Sequence, residues 1–428
     1  MKDQVDWLLL DQNSFFASCE QQEQPELRGK PIAVVAMITD TTSVLAASYE
    51  AKKYGIKTGT RVAEARKICP GLQFVETHHW LYLDYHERIL KAIEEVIPIH
   101  SVLSVDEVSC ELTGSQKNLE KALVLARTLK DHVRKQVGEC LTSSVGIGPN
   151  VLIAKIASDM QKPDGLVWIL RDEIPNKLGP LSIRVIPGIG AKMEAHLNQR
   201  GIFKIHDLLC LSEAQARALW GSILGSKMLV GIKGGPYLYE HGETKSISHE
   251  HVLEPDFRSF PKAYQVALKL LNKACVRMRK SGFRCGRLRL SIKFLEPIHF
   301  DRDLKFNKTS DTGFLMKQLK SLWSQIPEAF LHHNSGLERP FSAPLSLRRT
   351  PAPFKVSVVL SDFENEDSQQ LSFFDPHQGR REKAYEVADL LNEKFGSNTI
   401  FTANLIDMKA KAKGGIPFSR IPDKEEFE

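Results

Sequence analysis

Two places in the chain put carboxylates where the local pattern predicts the end of a strand. Asp11 closes the apolar run LLLD at 8–11, and Asp106 and Glu107 lie together in SVDEV at 104–108. Adjacent residues of a regular strand point to opposite faces, so both can serve one site only at a bend or strand end. Three carboxylates gathered there could hold two Mg²⁺ ions about 3.5 to 4 Å apart, the arrangement used for in-line phosphoryl transfer. Alone, the Asp-Glu pair better fits an exposed hairpin tip, and the combination with Asp11 favours a metal site.

Strand and helix patterns alternate around these carboxylates, which predicts a mixed α and β region. Strands are predicted over 6–11, 31–37 and 142–148, with a hairpin over 100–112. Helices are predicted over 83–98, 120–139 and 150–162, the last closed by Pro163-Asp164-Gly165. The fold class that follows is α+β.

Length and composition limit the class of protein. The 428 residues predict two to four domains of roughly 100 to 200 residues each. No apolar window approaches the ~20 residues of a membrane span, and the beginning MKDQVDWLLL lacks the basic region of a secretory signal. The seven cysteines show no metal-ligand spacing, so no structural zinc is expected. We therefore expect a cytoplasmic protein without membrane contact.

The positive charge is concentrated in one segment. Between Lys262 and Lys293 there are ten Lys or Arg residues and no Asp or Glu, although the whole chain carries only +6. The first part predicts an amphipathic helix, and RLRLSIKF at 287–294 alternates apolar with mainly basic residues. A sheet with one basic face suits a phosphate backbone, since each neutralised phosphate releases counterions. The alternative is an ordinary solvated surface.

Taken in order, the motifs resemble the Y-family translesion DNA polymerases of the UmuC/DinB type, with a layout similar to the UmuC branch. DQNSFFASCE (11–20), SYEAKKYGIKTG (48–59), SVDEV and VGIGPNVLIAKIASDMQKPDG (145–165) are similar to the palm and fingers motifs of that family. The resemblance implies a right-hand polymerase. Its expected parts are the palm (1–20 and 78–170), fingers (21–77), helix-hairpin-helix thumb (171–235), linker (236–248), little finger (249–362), and a clamp-binding motif with C-terminal extension (363–428).

The resemblance also implies roles for individual residues. Asp11, Asp106 and Glu107 would be the catalytic ligands of two Mg²⁺ ions, with the backbone carbonyl of Gln12 as a further ligand. Phe16 would be a steric gate that excludes the ribose 2′-hydroxyl. The residues implied in contacts with the deoxynucleoside triphosphate are Phe15, whose ring is expected to pack inward, Tyr49, Lys52 and Lys162. Asn13 stands where many members carry a second aspartate.

The remaining expectations concern DNA and protein partners. PGIG at 187–190 predicts a hairpin whose amides bind a phosphate without reading sequence. The expected contacts with primer-template DNA are Gly188, Gly190, Lys192, Arg287, Arg289 and Lys293. The stretch QLSFF resembles the peptide that binds the bacterial sliding clamp through Gln370, Leu371, Phe373 and Phe374. Accessory damage-response subunits are a further expectation. The alternatives are a non-catalytic clamp-bound adaptor and a general nucleic-acid-binding protein.

Overall fold

The structure is a computed structural model that describes residues 4–239, 244–327, 351–365, 378–396 and 399–400. These residues fall into two compact units, one up to residue 239 and the other from residue 244 onward. Each unit has its own hydrophobic core. Within the part of the chain that the structure describes, every helix is too short or too polar to span a bilayer.

The first unit contains two sheets and a helical region. Its strands are β1 (Trp7–Gln12), β2 (Ile32–Val35), β3 (Val44–Ala47), β4 (Gln73–Glu76), β5 (Ser101–Val102), β6 (Glu107–Glu111), β7 (Ser143–Gly148) and β8 (Leu166–Trp168). Its helices are α1 (Phe15–Glu23), α2 (Tyr49–Lys52), α3 (Val62–Ile68), α4 (His79–Glu94), α5 (Leu119–Val137), α6 (Val151–Met160), α7 (Ile174–Lys177), α8 (Ala191–Asn198), α9 (Ile205–Leu209), α10 (Glu213–Trp220) and α11 (Ile223–Ile232).

The larger sheet has the strand order β5-β6-β1-β7-β8, so the LLLD run forms its central strand. Successive side chains of a strand point to opposite faces. Leu8 and Leu10 therefore pack in the core that contains α1, α4 and α5, while Leu9 packs against Val151 of α6. Helix α6 lies so close to β7 that a Cβ on Gly146 would stand 1.9 Å from the carbonyl oxygen of Ala154. The sheet is thus covered on both faces, which explains its continuous apolar run.

The smaller sheet has the order β3-β2-β4, with β2 parallel to β4 and antiparallel to β3. Strand β3 forms in the small-residue stretch after residue 43, for which the sequence predicted no strand. The helix predicted over 83–98 begins earlier, at His79, and ends at Glu94. The predicted strands and the helices at 120–139 and 150–162 are confirmed to within a few residues at their ends.

Residues at both ends of the predicted linker, 236–248, take part in regular packing or pairing. Tyr237 and Tyr239 pack against the cores of the first unit, and the side chain of Asn150 donates hydrogen bonds to the carbonyls of Gly231 and Gly235. At the other end, a strand already begins at Ser246. Aromatic burial and strand pairing therefore involve residues at both ends of the segment that the resemblance assigned to a linker.

The second unit is a four-stranded antiparallel sheet with helices on one face. Its strands are β9 (Ser246–Val252), β10 (Phe283–Phe294), β11 (His299–Thr309) and β12 (Pro353–Asn365), in the order β11-β10-β12-β9. Its helices are α12 (Phe260–Lys280), α13 (Thr312–Trp323) and α14 (Gln378–Phe395). Leu288, Leu290 and Ile292 of β10 are fully buried in the core with α12 and α13, which confirms the predicted amphipathic helix and alternating strand.

Helix α14 also packs in this unit, beyond the predicted little-finger boundary at 362. The buried Glu382 accepts hydrogen bonds from Arg284 of β10 and from Thr309 and Ser310 at the end of β11. A second ion pair joins α14 to α12, from Arg279 to Asp389 at 2.7 Å. These contacts depend on residues about 70 to 110 positions apart, which no local pattern reveals.

Candidate active site

The three predicted carboxylates lie at one end of β1. Asp11 is 4% exposed and stands opposite Glu107 in the antiparallel register of β1 and β6. Asp106 lies in the bend just before β6, where its side chain accepts a hydrogen bond from Ser104 Oγ at 2.6 Å. The backbone N–H of Gln12 donates to the carbonyl of Asp106 at 2.8 Å. The bend is the local departure from a regular strand that lets adjacent carboxylates approach one site.

Two lysines, one on α6 and one in the turn after it, contact Asp11 and Glu107. Lys155 Nζ lies 2.7 Å from Asp11 Oδ2 and 3.0 Å from Glu107 Oε1. Lys162 Nζ lies 2.7 Å from the other oxygen of Asp11. Asp159 contacts both ammonium groups, at 3.1 Å from Lys155 and 2.8 Å from Lys162. The sequence predicted Lys162 but missed Lys155 and Asp159, whose i, i+4 spacing on one helix was the available signal.

Burial and charge set the protonation of this cluster. Burial raises the pKa of both Asp106 and Glu107, against the lowering effect of neighbouring cations. Burial alone would lower the pKa of Lys155, but Asp11, Glu107 and Asp159 outweigh it and raise that pKa. Lys155 and Lys162 likewise overcome burial and lower the pKa of Asp159. The carboxylates thus form a site for positive charge, which the ammonium groups of Lys155 and Lys162 provide here.

The donor set fits a hard divalent cation in its chemistry. Carboxylate and carbonyl oxygens are what Mg²⁺ prefers, and the position of Lys155 Nζ shows that Asp11 and Glu107 converge on one cationic point. As they stand, no three His, Cys, Asp or Glu side chains among the described residues are grouped closely enough to hold a metal ion. Lys155 lies between the carboxylates, so a metal there requires its ammonium group to move aside.

Phe15 and Phe16 occupy different environments at the start of α1. The ring of Phe15 is 3% exposed in the core, as predicted, so Phe15 can reach a ligand only through its backbone. The ring of Phe16 is half-buried and stacks on Tyr82 of α4, with centroids 4.3 Å apart. Ser14, just before α1, has φ 49°, a left-handed conformation that turns the chain sharply between Asp11 and these rings.

The predicted triphosphate residues lie near one another. Lys52 Nζ donates to Ser14 Oγ at 2.7 Å and stands 4.3 Å from the centroid of the Tyr49 ring. Desolvation, and then the charge of Lys162, lowers the pKa of Lys52. Burial raises the pKa of Tyr49, with Lys162 acting in the opposite direction. Two lysines that repel each other beside a tyrosine hydroxyl are suited to an anionic ligand.

Asn13 does not point toward the carboxylates. Its side-chain oxygen accepts from the backbone N–H of Asp164 at 2.7 Å, and its Nδ2 donates to Ser144 Oγ at 2.9 Å. Ser144 Oγ also accepts from the N–H of Gly165 at 3.2 Å. Asn13 is buried and therefore anchors the turn that carries Lys162.

The predicted hairpin of the DNA site forms just before α8. Gly188 has φ 90°, which favours glycine, and Gly190 precedes the first residue of the helix. A Cβ on Gly190 would meet no atom within 4 Å, so packing within the chain does not require glycine there. Lys192 is exposed in the first turn of α8. Open backbone at a helix N-terminus suits a close approach by phosphate.

Acidic side chains of the neighbouring strand partly neutralise the basic face of β10. Arg287 pairs with Asp303 at 3.4 Å, and Arg289 donates to Asp301 from Nε at 2.6 Å. Both aspartates belong to β11, which follows the acid-free segment in sequence and lies beside it in the sheet. Lys293 is exposed. The clamp-binding prediction at Gln370, Leu371, Phe373 and Phe374 lies outside the described residues.

Comparison with known proteins gives consistent matches. Residues 10–159 match the model of the impB/mucB/samB family, and residues 244–373 match the model of its C-terminal domain. The DNA polymerase IV of Moorella thermoacetica is 38% identical over 292 residues, which cover 67% of this chain and 72% of that protein. The DNA polymerase IV of Pelotomaculum thermopropionicum is 29% identical over 92% of this chain and 94% of its own length.

Solved structures resemble this chain over most of its length. A chimera of the Y-family polymerases Dbh and Dpo4 has a TM-score of 0.66 at 23% identity, covering 84% of this chain and 99% of the chimera. An insertion ternary complex of Dbh DNA polymerase has a TM-score of 0.53 at 24% identity, covering 83% of this chain and 98% of that one. At this level of identity the resemblance establishes the fold.

Proposed function

The chain belongs to the impB/mucB/samB family of Y-family translesion DNA polymerases, and we propose how its own residues perform template-directed transfer of nucleotides to a primer. It is a DNA-directed DNA polymerase rather than a non-catalytic adaptor. The observation that carries the proposed mechanism is the convergence of Asp11 and Glu107 on the ammonium group of Lys155. That cluster marks a point built for positive charge at the end of the central strand.

We assign the expected domains to the observed elements. The sheet around β1 with α1 and α4–α6 is the palm, the sheet β3-β2-β4 with α2 and α3 the fingers, and the helices α7–α11 the thumb. The second unit, from Ser246 and including α14, is the little finger.

Asp11, Asp106 and Glu107, with the carbonyl of Gln12, would hold two Mg²⁺ ions. When bound, these ions would lower the pKa of the primer 3′-hydroxyl and neutralise charge on the phosphates. Asp11 would exchange its contacts with the two lysines for contacts with metal. Lys162, released from Asp11, would then be free to turn to the triphosphate, where a fixed cation stabilises developing negative charge.

Tyr49 and Lys52 would complete the triphosphate site, together with the backbone of Phe15. Position 52 carries a lysine, so the contact would be a point charge rather than the bidentate fork that an arginine would offer. Phe16 would act as the steric gate, because its half-buried ring directly follows the turn at Asn13 and Ser14 that separates it from Asp11. The ring would leave no room for a ribose 2′-hydroxyl.

The DNA would be held in two places. Gly188, Gly190 and Lys192 would contact backbone phosphates through amides and one charge, without reading sequence. Lys293 would contact phosphates from the sheet of the little finger. Arg287 and Arg289 would also contact phosphates, to the extent that Asp303 and Asp301 do not neutralise them. The substrate implies a cytoplasmic enzyme at the nucleoid. Residues 370–374 would bind the sliding clamp, and accessory damage-response subunits would be further partners.

Primer extension tests the metal site. Wild type should extend a primer with Mg²⁺ on undamaged and abasic templates, and Asp106→Ala should lose at least about 100-fold in rate, since a metal ligand supplies several kcal/mol. Glu111→Ala removes a carboxylate from the exposed far end of β6, the strand that follows Asp106, and serves as the matched control. Equal activity of Asp106→Ala and Glu111→Ala would overturn the metal assignment. Metal-independent DNA binding by wild type without synthesis would favour the general nucleic-acid-binding alternative.

A further inference from the structure

A buried tyrosine lies behind the ring of Phe16. Tyr82 of α4 is fully buried, and its ring stacks on Phe16 with planes only 11° from parallel. The Tyr82 hydroxyl donates to Glu20 Oε1 at 2.5 Å. Phe16 and Glu20 are four residues apart on α1, so they lie on the same side of that helix. Tyr82 therefore contacts one turn of α1 at two points, through its ring and through its hydroxyl.

The hydroxyl end of Tyr82 is held from several directions. Glu20 is itself fully buried, pairs with His78 Nδ1 at 2.9 Å and accepts from Gln24 Nε2 at 3.2 Å. The backbone N–H of His78 donates to the Tyr82 oxygen at 3.2 Å. Burial, and then Glu20, raises the pKa of Tyr82, so the phenol keeps its proton and remains a donor. The ring plane of Tyr82 is fixed as a result.

A gate that works by exclusion needs a ring that does not move. An aromatic side chain at a half-open position can change rotamer or tilt when a ligand presses on it, and each displacement reduces the penalty for a larger ligand. A stacked ring loses favourable contact when it moves, and the loss is greater when the partner ring is anchored in the core. Tyr82 offers Phe16 this kind of anchored partner.

We propose that Tyr82, anchored by Glu20, is a positioning residue for sugar selection that holds the Phe16 ring against ribonucleoside triphosphates. The inference rests on the proposed role of Phe16 as the steric gate. Tyr82 touches the gate and acts on the substrate only through it. The polymerase therefore discriminates against the 2′-hydroxyl with a pair of rings from two helices.

Single-nucleotide insertion kinetics test this role. The readout is the ratio of kcat/KM for a deoxynucleotide to that for the matching ribonucleotide. Tyr82→Leu should lower this ratio about tenfold, mainly by improving ribonucleotide use, as expected for the loss of one aromatic pair. Tyr82→Phe keeps the ring and removes only its anchor, so it should lower the ratio by a smaller factor, about threefold. The double variant Phe16→Ala/Tyr82→Leu should equal Phe16→Ala, because Tyr82 acts through that ring.

Tyr85→Phe is the matched control. Tyr85 lies on the same helix, and its hydroxyl donates to Glu23 of α1 at 3.2 Å, but its ring pairs with the guanidinium of Arg88. This variant loses a tyrosine–glutamate hydrogen bond between the same two helices and should leave the ratio unchanged. A general loosening of the two helices would instead lower the ratio in Tyr85→Phe as well, which would overturn the proposal.

Other outcomes separate this inference from the proposed function. An unchanged ratio in Tyr82→Leu, while Phe16→Ala loses discrimination, refutes the role of Tyr82 and leaves the gate standing. Equal decreases in kcat/KM for the deoxynucleotide and the ribonucleotide in Tyr82→Leu also refute the role of Tyr82. An unchanged ratio in Phe16→Ala refutes the gate itself. If Tyr82→Leu does not fold, Tyr82→Phe decides, and a wild-type ratio in that variant overturns the proposal.

Discussion

Replacement of Glu382 with alanine tests whether α14 is an integral part of the second unit. Glu382 and Arg284 are 3% and 4% exposed, and the carboxylate accepts from Arg284 Nη2 at 2.7 and 2.6 Å. It also accepts from Thr309 Oγ1 at 2.8 Å and from the backbone N–H of Ser310 at 3.0 Å. The alanine leaves a guanidinium buried without its counter-charge. Breaking a buried pair in this way costs about 3 to 5 kcal/mol.

Hydrogen exchange measures this loss within the second unit alone. Each 1.4 kcal/mol corresponds to about a factor of ten in the opening equilibrium, so amides of β10, β11 and α14 should exchange at least about 100-fold faster in Glu382→Ala. Amides of β1 and β7 in the first unit should keep their wild-type rates and serve as an internal reference. Mass spectrometry of peptides from both units gives the two values in one experiment.

Two further variants make the test decisive. Glu393→Ala removes an exposed carboxylate of the same helix, 3.8 Å from Lys280, and a surface pair of this kind contributes about 0 to 1 kcal/mol. Arg284→Met with Glu382→Leu removes both buried charges and should restore most of the protection, because no unpaired charge remains. If Glu382→Ala exchanges like Glu393→Ala, the buried pair does not hold α14 and the reasoning is wrong.

Two other predictions concern charges near the surface. Asp301→Asn frees Arg289 to contact one phosphate, so it should raise the affinity for duplex DNA and steepen the dependence of log K on log salt by about 0.9. Fluorescence anisotropy at several salt concentrations measures this slope, and an equal change in Asp256→Asn would point to net charge instead. Asp207 accepts hydrogen bonds from the backbone N–H groups of Lys204 and Phe203, which lower its pKa. The stability that the Asp207 carboxylate adds to the folded protein is therefore present above about pH 4 and is lost as the pH falls through the lower folded-state pKa. Asp207→Ala should therefore lose less stability than wild type between pH 6 and pH 3 in urea unfolding, and parallel losses would contradict this.

Much of the fold was predictable because it depends on local periodicity. The apolar run ending at Asp11 predicted a buried strand, and the alternation of Leu288 and Leu290 with Arg287 and Arg289 predicted which face of β10 is buried. Periods of two and 3.6 residues reflect backbone geometry, which each segment carries in its own sequence. The order of the motifs was sufficient to identify the family, and the roles proposed for Asp106, Glu107 and Phe16 follow from that resemblance.

The tertiary structure decided which charges and rings meet. Lys155 reaches Asp11 across 144 positions, Arg284 reaches Glu382 across 98, and Tyr82 reaches Glu20 across 62. Strand register and helix docking set these distances, and neither is encoded within any one segment. For the same reason the basic segment carries less unpaired positive charge than its sequence indicates, because the neighbouring strand brings Asp301 against Arg289. The sequence by itself determined the strands and helices with strong local periodicity and the chemical groups of this polymerase, whereas their pairing was decided only when the segments packed together.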